Sequence, residues 1–158
     1  MAANHLNGKD NALVALKLRD KDKNFKVLGE GSKMPFFGQH LWSPGKMLVV
    51  TEGEIDCLSV SQVQGNKWAT VSVPNGAQGA TRTFKHQLEW LEQFESVIIM
   101  FDMDEPGQSA AKECAELFSP GKAKIATLPL KDPNECLLAG KGQDVIQAIW
   151  NAKPYRPD

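Results

Sequence analysis

At 158 residues, with 42% hydrophobic and 23% charged side chains, the chain has globular composition and enough length to bury a core of its own. No apolar run approaches the roughly 20 residues needed to span a bilayer, and the opening "MAANHLNGKDN" lacks the apolar centre of a signal peptide, so the sequence predicts a cytoplasmic protein with no membrane partner. Cys57, Cys114 and Cys136 form no C-x-x-C pair and His5, His40 and His86 are scattered; no disulfide framework or cysteine-rich zinc site is indicated, and these residues read as structural or surface positions.

The net charge of -1 hides a division. Residues 1–50 carry eight Lys/Arg against four Asp/Glu, which leaves ten against fifteen for the rest. A basic arm precedes an acidic body. That division suits polyanion attraction on one surface and cation binding on another, although a solvated charge distribution gives the same count.

In chain order, residues 13–19 and the stretch "NFKVL" at 24–28 alternate apolar and basic side chains and predict a hairpin or two edge strands. "MLVVT" from Met47 is a strand, "EIDCLSVSQV" from Glu54 a helix, "ATVSV" from Ala69 a strand, and "ATRTFKHQLEWLEQF" from Ala80 an amphipathic helix. "SVIIMF" from Ser96 is the most apolar strand; "PGQSAAKECAELF" follows as a helix with Pro106 at its start, and "KIATL" from Lys124 is the fourth strand. "DPNECLLAG" and "QDVIQAIW" predict two short helices, and "NAKPYRPD", with two prolines and no periodicity, reads as a linker. The succession predicts an α/β fold: a four-stranded parallel, Rossmann-like sheet with helices on both faces, preceded by a basic β-hairpin. Sites in such sheets lie at the carboxyl ends of the strands.

Glu52 falls at the end of the first core strand, and Asp102 and Asp104 of "MFDMDEPG" at the end of the third. In an extended segment Asp102 and Asp104 would point the same way, and Asp56 follows Glu52 by about one helical turn. Carboxylates held 4 Å apart repel by about 4 kcal/mol at an effective dielectric near 20, so a cation is expected among them. Oxygen donors favour Mg²⁺ or Mn²⁺ over zinc. Singly, the motifs have plainer readings: Glu52 and Glu54 complement the dipole of the helix that follows, and D-x-D is common in loops. Together, at the ends of two parallel strands, they favour a metal site.

"VVTEGEID", "SVPNGA", "IIMFDMDEPG" and "LKDPNE", in this order, closely resemble the Toprim domain of bacterial primases and topoisomerases. "KLRDKDKNFK" followed by "FFGQHLW" is similar to the primase half of the bifunctional primase-helicases of short-tailed phages. The resemblance covers about residues 13–158 and implies a metal-dependent DNA primase, a nucleotidyltransferase that makes short RNA primers from nucleoside triphosphates on a single-stranded DNA template. It assigns catalysis or metal binding to Glu52, metal binding to Asp102 and Asp104, and further acidic positions to Asp56 and Asp132. It implies residues 1–45 as part of the primase RNA polymerase domain, 46–150 as the Toprim domain and 151–158 as a linker toward a helicase. It also implies a parent protein with a zinc module and a hexameric helicase, acting in the cytosol of a phage-infected or prophage-bearing bacterium. No cysteine zinc set and no G-x-x-x-x-G-K-[ST] occurs in these residues, so both modules are expected to lie outside them.

Lys17, Arg19, Lys21 and Lys23 alternate, and in an extended strand would form one cationic row. The row reads either as charge protecting a sheet edge or, by resemblance, as a surface for triphosphate and template. "PNGAQGA" reads as a turn or as backbone able to approach a ligand, with Asn75 and Gly76 near the nucleotide or template by resemblance. The four tryptophans read mostly as core. Two rival readings keep the fold and change the function: a Toprim nuclease, and a non-catalytic relic domain of a replicative helicase.

Overall fold

The structure is a computed structural model that describes residues 2–6, 12–31 and 34–157. Its strands and helices follow chain order as β1 (Ala2–Leu6), β2 (Leu13–Arg19), β3 (Phe25–Gly29), β4 (Met47–Thr51), α1 (Glu54–Val63), β5 (Thr70–Ser72), α2 (Gly76–His86), α3 (Leu88–Leu91), β6 (Ser96–Met100), α4 (Glu105–Ala115), β7 (Ala123–Ile125), α5 (Pro133–Leu138), α6 (Gly142–Trp150) and β8 (Lys153–Pro154).

The main sheet has the order β5-β4-β6-β7-β8, with the first four strands parallel. β4 and β6 are apolar on both faces because both faces are covered. Leu48, Val50, Val97, Ile99 and Phe101 pack on the side of α2 and α4, whereas Val49, Ile98 and Met100 pack on the side of α1, α5 and α6. Each such side chain, removed from water, contributes about 1.5–3 kcal/mol. The period of two along these strands thus assigns the helices to opposite layers. From β4 the chain runs through α1 to β5; from β6 it runs through α4, on the opposite face, to β7. The two connections diverge between β4 and β6, and such a switch point opens a crevice at the carboxyl ends of the two strands.

The sequence differs from the structure at four places. The four expected parallel strands are joined by β8, which pairs antiparallel with β7 and is followed by Tyr155, whose N–H donates to the Ala123 carbonyl at 2.8 Å and whose hydroxyl donates to Glu116 at 2.9 Å. The segment that reads as a linker is therefore docked through Tyr155; Pro154 is tolerated in β8 because that strand lies at the sheet edge. The hairpin expected at residues 13–28 gains a third strand, β1, antiparallel to β2. The long helix expected from Ala80 is two, divided at Gln87, and α2 begins earlier, at Gly76, which has a φ of 67°. Gly79 sits so close to Asn75 that a Cβ there would lie 2.7 Å from the Asn75 Cβ, so part of the glycine content of "PNGAQGA" serves close packing. Of the tryptophans, Trp42 and Trp90 pack against the core while Trp68 and Trp150 are exposed, so core packing accounts for half of them. Cys57, Cys114 and Cys136 are free and buried, and burial pushes the Cys57 and Cys114 thiols up to about 12, as structural cysteines.

Candidate metal centre and nucleotide cleft

At the switch point the ends of three strands supply carboxylates. Glu52 follows β4, Asp102 follows β6, and Asp132 lies beyond β7 at the start of α5; Asp56 comes from the first turn of α1. Asp56, Asp102 and Asp132 each offer one oxygen within 4.8 Å of the others. Asp56 and Asp132 are 76 residues apart in sequence, and helix docking joins them. The Asn134 N–H donates to Asp56 Oδ1 at 3.1 Å, and Ser59 Oγ donates to Asn134 Oδ1 at 3.2 Å, which fixes α5 against α1. Glu52 Oε1 accepts the Asp102 N–H at 3.4 Å.

The electrostatics follow from this crowding. Burial, followed by the negative charge of Asp132, pushes the Asp56 carboxyl up to about 7, against a partial offset from the Asn134 N–H. Burial and the charges of Glu52, Asp56, Asp132 and Asp104 push Asp102 up to about 7. Glu52 is raised by burial, opposed by the Asp102 N–H. Asp102 Oδ1 is buried without a hydrogen-bond partner among the described residues. An orphaned carboxylate oxygen facing two further acids is the donor set of a hard divalent cation, so the residues fit a metal of that kind. The three carboxylates form a set able to hold a metal ion.

Asp104 takes another local role. β6 ends at Met100, the chain bends through Met103 and Asp104, and Asp104 Oδ1 caps α4 by accepting the Gly107 N–H at 2.9 Å. Asp104 is not one of the three acids whose oxygens lie within 4.8 Å of one another, but its charge helps to raise Asp102 and Glu52. Asp132 combines both roles, since its Oδ1 also caps α5 by accepting the Glu135 N–H at 2.8 Å.

The acids open into a cleft of about 600 Å³ whose other wall is the N-terminal sheet, including Lys17, Arg19, Lys23, Phe25 and Val27. Asn75 and Gly76 line it as well, as do Lys131 and Asn134, which sequence reasoning did not single out. The cationic row is broken. Lys17 and Arg19 lie on β2, but Asp20 Oδ1 accepts the N–H groups of Asp22 and Asn24 and turns the chain, with Lys23 at a φ of 65°. Lys21 sits in that turn and is not among the residues lining the cleft. Lys17 is already engaged: its ammonium is 3.0 Å from Glu54 Oε1 and donates to the Pro74 carbonyl at 2.9 Å. Buried His5 of β1 approaches the same Glu54 oxygen at 3.5 Å. Burial works to raise the Glu54 carboxyl, but the His5 contact and the Lys17 ammonium outweigh it and hold it low. This group ties the N-terminal sheet to the start of α1. Lysine and glutamate 37 residues apart give no local signal of such a pair.

Toprim-like domains match residues 49–137, more than half of the chain and the whole of the acidic crevice. The chain belongs to the Toprim-like family. Beyond the matched stretch, this Toprim chain is similar to the DNA helicase/primase of Enterobacteria phage T3, at 46% identity over 147 residues, which make up 93% of this chain and 26% of that protein. It is also similar to a primase homolog protein of Arabidopsis thaliana, at 27% identity over 90% of this chain and 48% of the relative. The chain thus spans between a quarter and a half of the length of these curated relatives. Among solved structures it is similar to the primase fragment of the bacteriophage T7 primase-helicase protein, with a TM-score of 0.89 and 44% identity, covering 94% of this chain and 62% of that one. It is equally similar to T7 primase domains bound to an RNA/DNA hybrid and dTTP in a complex with the lagging-strand DNA polymerase, with a TM-score of 0.90 and 44% identity over 98% of this chain and 78% of that one. A DnaG primase catalytic domain bound to ssDNA shares the fold, with a TM-score of 0.67 at 18% identity over 95% of this chain and 52% of that one. The Toprim fold expected from the sequence is the one present. No helix among the described residues is long and apolar enough to cross a membrane.

Proposed function

We propose that this Toprim chain is the catalytic domain of a DNA primase, which joins ribonucleotides into short RNA primers on single-stranded DNA with Mg²⁺ as cofactor and Mn²⁺ able to substitute. The observation that carries the reading is the Asp56, Asp102 and Asp132 triad at the switch point, facing a wall that contains Arg19 and Lys23. In the reaction the 3'-hydroxyl of one nucleotide attacks the α-phosphorus of the next, and the bond to pyrophosphate breaks. Asp102 and Asp56, with Asp132, hold the metal, and Glu52 keeps the Asp102 segment in register through its N–H. When bound, a hard divalent cation lowers the pKa of the attacking hydroxyl and neutralises charge on the leaving group. Arg19 and Lys23 hold phosphates on the opposite wall, so the two reactants lie in line and the cost of bringing them together is met by binding. Asn75 and Gly76 bound the same cleft near the nucleotide or template.

The partners that follow are single-stranded DNA, nucleoside triphosphates and the RNA product. The similarity to the T3 helicase/primase and the T7 primase-helicase supports a parent protein with a helicase; we extend this to a zinc module, a hexameric ring and bacterial cytosol, with residues 1–45 and 46–150 as the two parts of the primase and 151–158 leading toward the helicase. A Toprim nuclease would use the same acids. The chain is incubated with a labelled dinucleotide on a template, triphosphates and Mn²⁺: extension of the dinucleotide supports the primase, shortening of the DNA supports the nuclease, and no change in either strand refutes both in favour of a relic domain.

A further inference from the structure

All five residues of β3, Phe25–Gly29, are exposed, and Phe25 has 57% of its surface open to water. Single exposed apolar side chains are ordinary; the position of this one is not. Phe25 and Val27 lie two apart on the strand, share a face and line the charged cleft, whereas Lys26 and Leu28 face the other way. Of the exposed aromatic residues, Trp68 and Trp150 stand away from that lining. The Phe25 ring is also oriented. Arg19 is its direct cross-strand partner, with the guanidinium carbon 5.6 Å from the ring centroid, and the Lys17 ammonium lies 4.6 Å from that centroid. Lys17 is itself held by Glu54 and the Pro74 carbonyl, so one contact of the ring is anchored to the start of α1.

A nucleotide has two chemically different halves. Its phosphates need cations, and its base offers a flat, weakly hydrated face that stacks on aromatic rings regardless of base identity. The cleft presents the same two chemistries side by side, with cations at Arg19 and Lys23 and, at Phe25, an aromatic side chain more than half exposed and flanked by the Lys17 and Arg19 cations. We propose that Phe25 is the stacking platform for one nucleobase, of the template strand or of an incoming triphosphate, whose phosphates lie against Arg19 and Lys23. The inference rests on the primase reading and adds to it a residue that holds the base without reading its sequence.

The test uses the full chain, its Phe25→Leu form, which keeps an apolar side chain at an exposed position, and its Phe25→Trp form, which keeps a ring. Affinity is measured for a labelled oligo-dT, for the same strand with abasic sites, for ATP, and for ribose triphosphate lacking a base. Phe25→Leu is expected to weaken oligo-dT or ATP by roughly 5- to 150-fold, the affinity equivalent of one stacked base. Phe25→Trp should retain binding, and neither form should change the salt slope, because phosphate contacts are untouched. Whichever of oligo-dT and ATP is weakened identifies the source of the base. The base-free partner should bind the Phe25→Leu and unchanged chains equally. Equal binding of the base-bearing ligands by both forms, or an equal loss for base-bearing and base-free ligands, overturns the platform while leaving the primase reading standing. Failure of the unchanged chain to bind either oligo-dT or ATP overturns the primase reading and the platform with it.

Discussion

Replacing Asp56 by Asn should stabilise the metal-free chain, and the gain should depend on pH. Two unit charges 4.8 Å apart, the outer limit of separation in the triad, repel by about 3.5 kcal/mol at an effective dielectric near 20. The Asp56 carboxyl, pushed from 3.8 up to about 7, has lost about 4 kcal/mol when charged, to burial first and to the charge of Asp132 second. Asp102 is half-buried, so water screens part of the repulsion, and about 2 kcal/mol is the expected gain for Asp56→Asn. The amide oxygen can still accept the Asn134 N–H, so the contact between α5 and α1 survives. Because folding raises this pKa, its contribution to stability is fully present below pH 3.8 and is lost as pH climbs through 7. The unchanged chain should therefore weaken between pH 4 and 7 relative to the variant. In chelator, thermal unfolding should show the variant ahead by about 4–8 °C at pH 8, with the gap closing toward pH 4. Parallel curves across that range would refute the claim that burial and the charge of Asp132 oppose ionisation of Asp56.

Other consequences can be checked with the same protein. Mg²⁺ at about a hundredfold excess over its dissociation constant should stabilise the unchanged chain by about 2.7 kcal/mol, and Asp102→Asn should abolish that response in a melting curve. Gly107→Ala would press a Cβ against the Asp102 carbonyl and bring it within 2.9 Å of Asp104 Oδ1, so it should lower the melting temperature and reduce the Mg²⁺ response together. Lys17→Met, which strands Glu54 in a buried position, should cost about 3 kcal/mol in denaturant unfolding, and adding Glu54→Gln should recover part of it. For oligo-dT, Lys23→Ala should make the plot of log affinity against log salt shallower by about 0.7, the loss of one phosphate contact on a single strand, while Lys21→Ala should leave it unchanged.

The parallel sheet is legible in the sequence because β4 and β6 are covered on both faces and read as near-continuous apolar runs. Glu52 and Asp102 could be placed because a strand end is visible wherever such a run meets acidic residues. The parts that were not legible depend on contacts between distant segments or on weak local signals. β1 has a sequence, "AANHL", with no alternation to reveal it, and its buried His5 acquires a purpose only beside Glu54. β8 contains a proline and pairs over two residues at the sheet edge. The D-x-D spacing alone does not reveal that Asp104 also caps a helix, although "DEPG" fits such a cap with proline in the first turn. The alternation from Lys17 to Lys23 predicts one row only if the strand continues, and Asp20 ends it by accepting two backbone N–H groups. Phe25 gives no signal in the sequence because an apolar residue in an amphipathic strand is expected to face inward, and its exposure is visible only once the strand is placed at the outer edge of its sheet.

The most direct test of the proposed chemistry compares the unchanged chain with Asp102→Ala, purified in parallel, in extension of a dinucleotide on a complementary template with Mn²⁺ and triphosphates at high concentration. The account predicts extended product from the unchanged chain and none from the variant, with both forms folded by circular dichroism; equal product from the two would place the reaction away from the acidic crevice and contradict it.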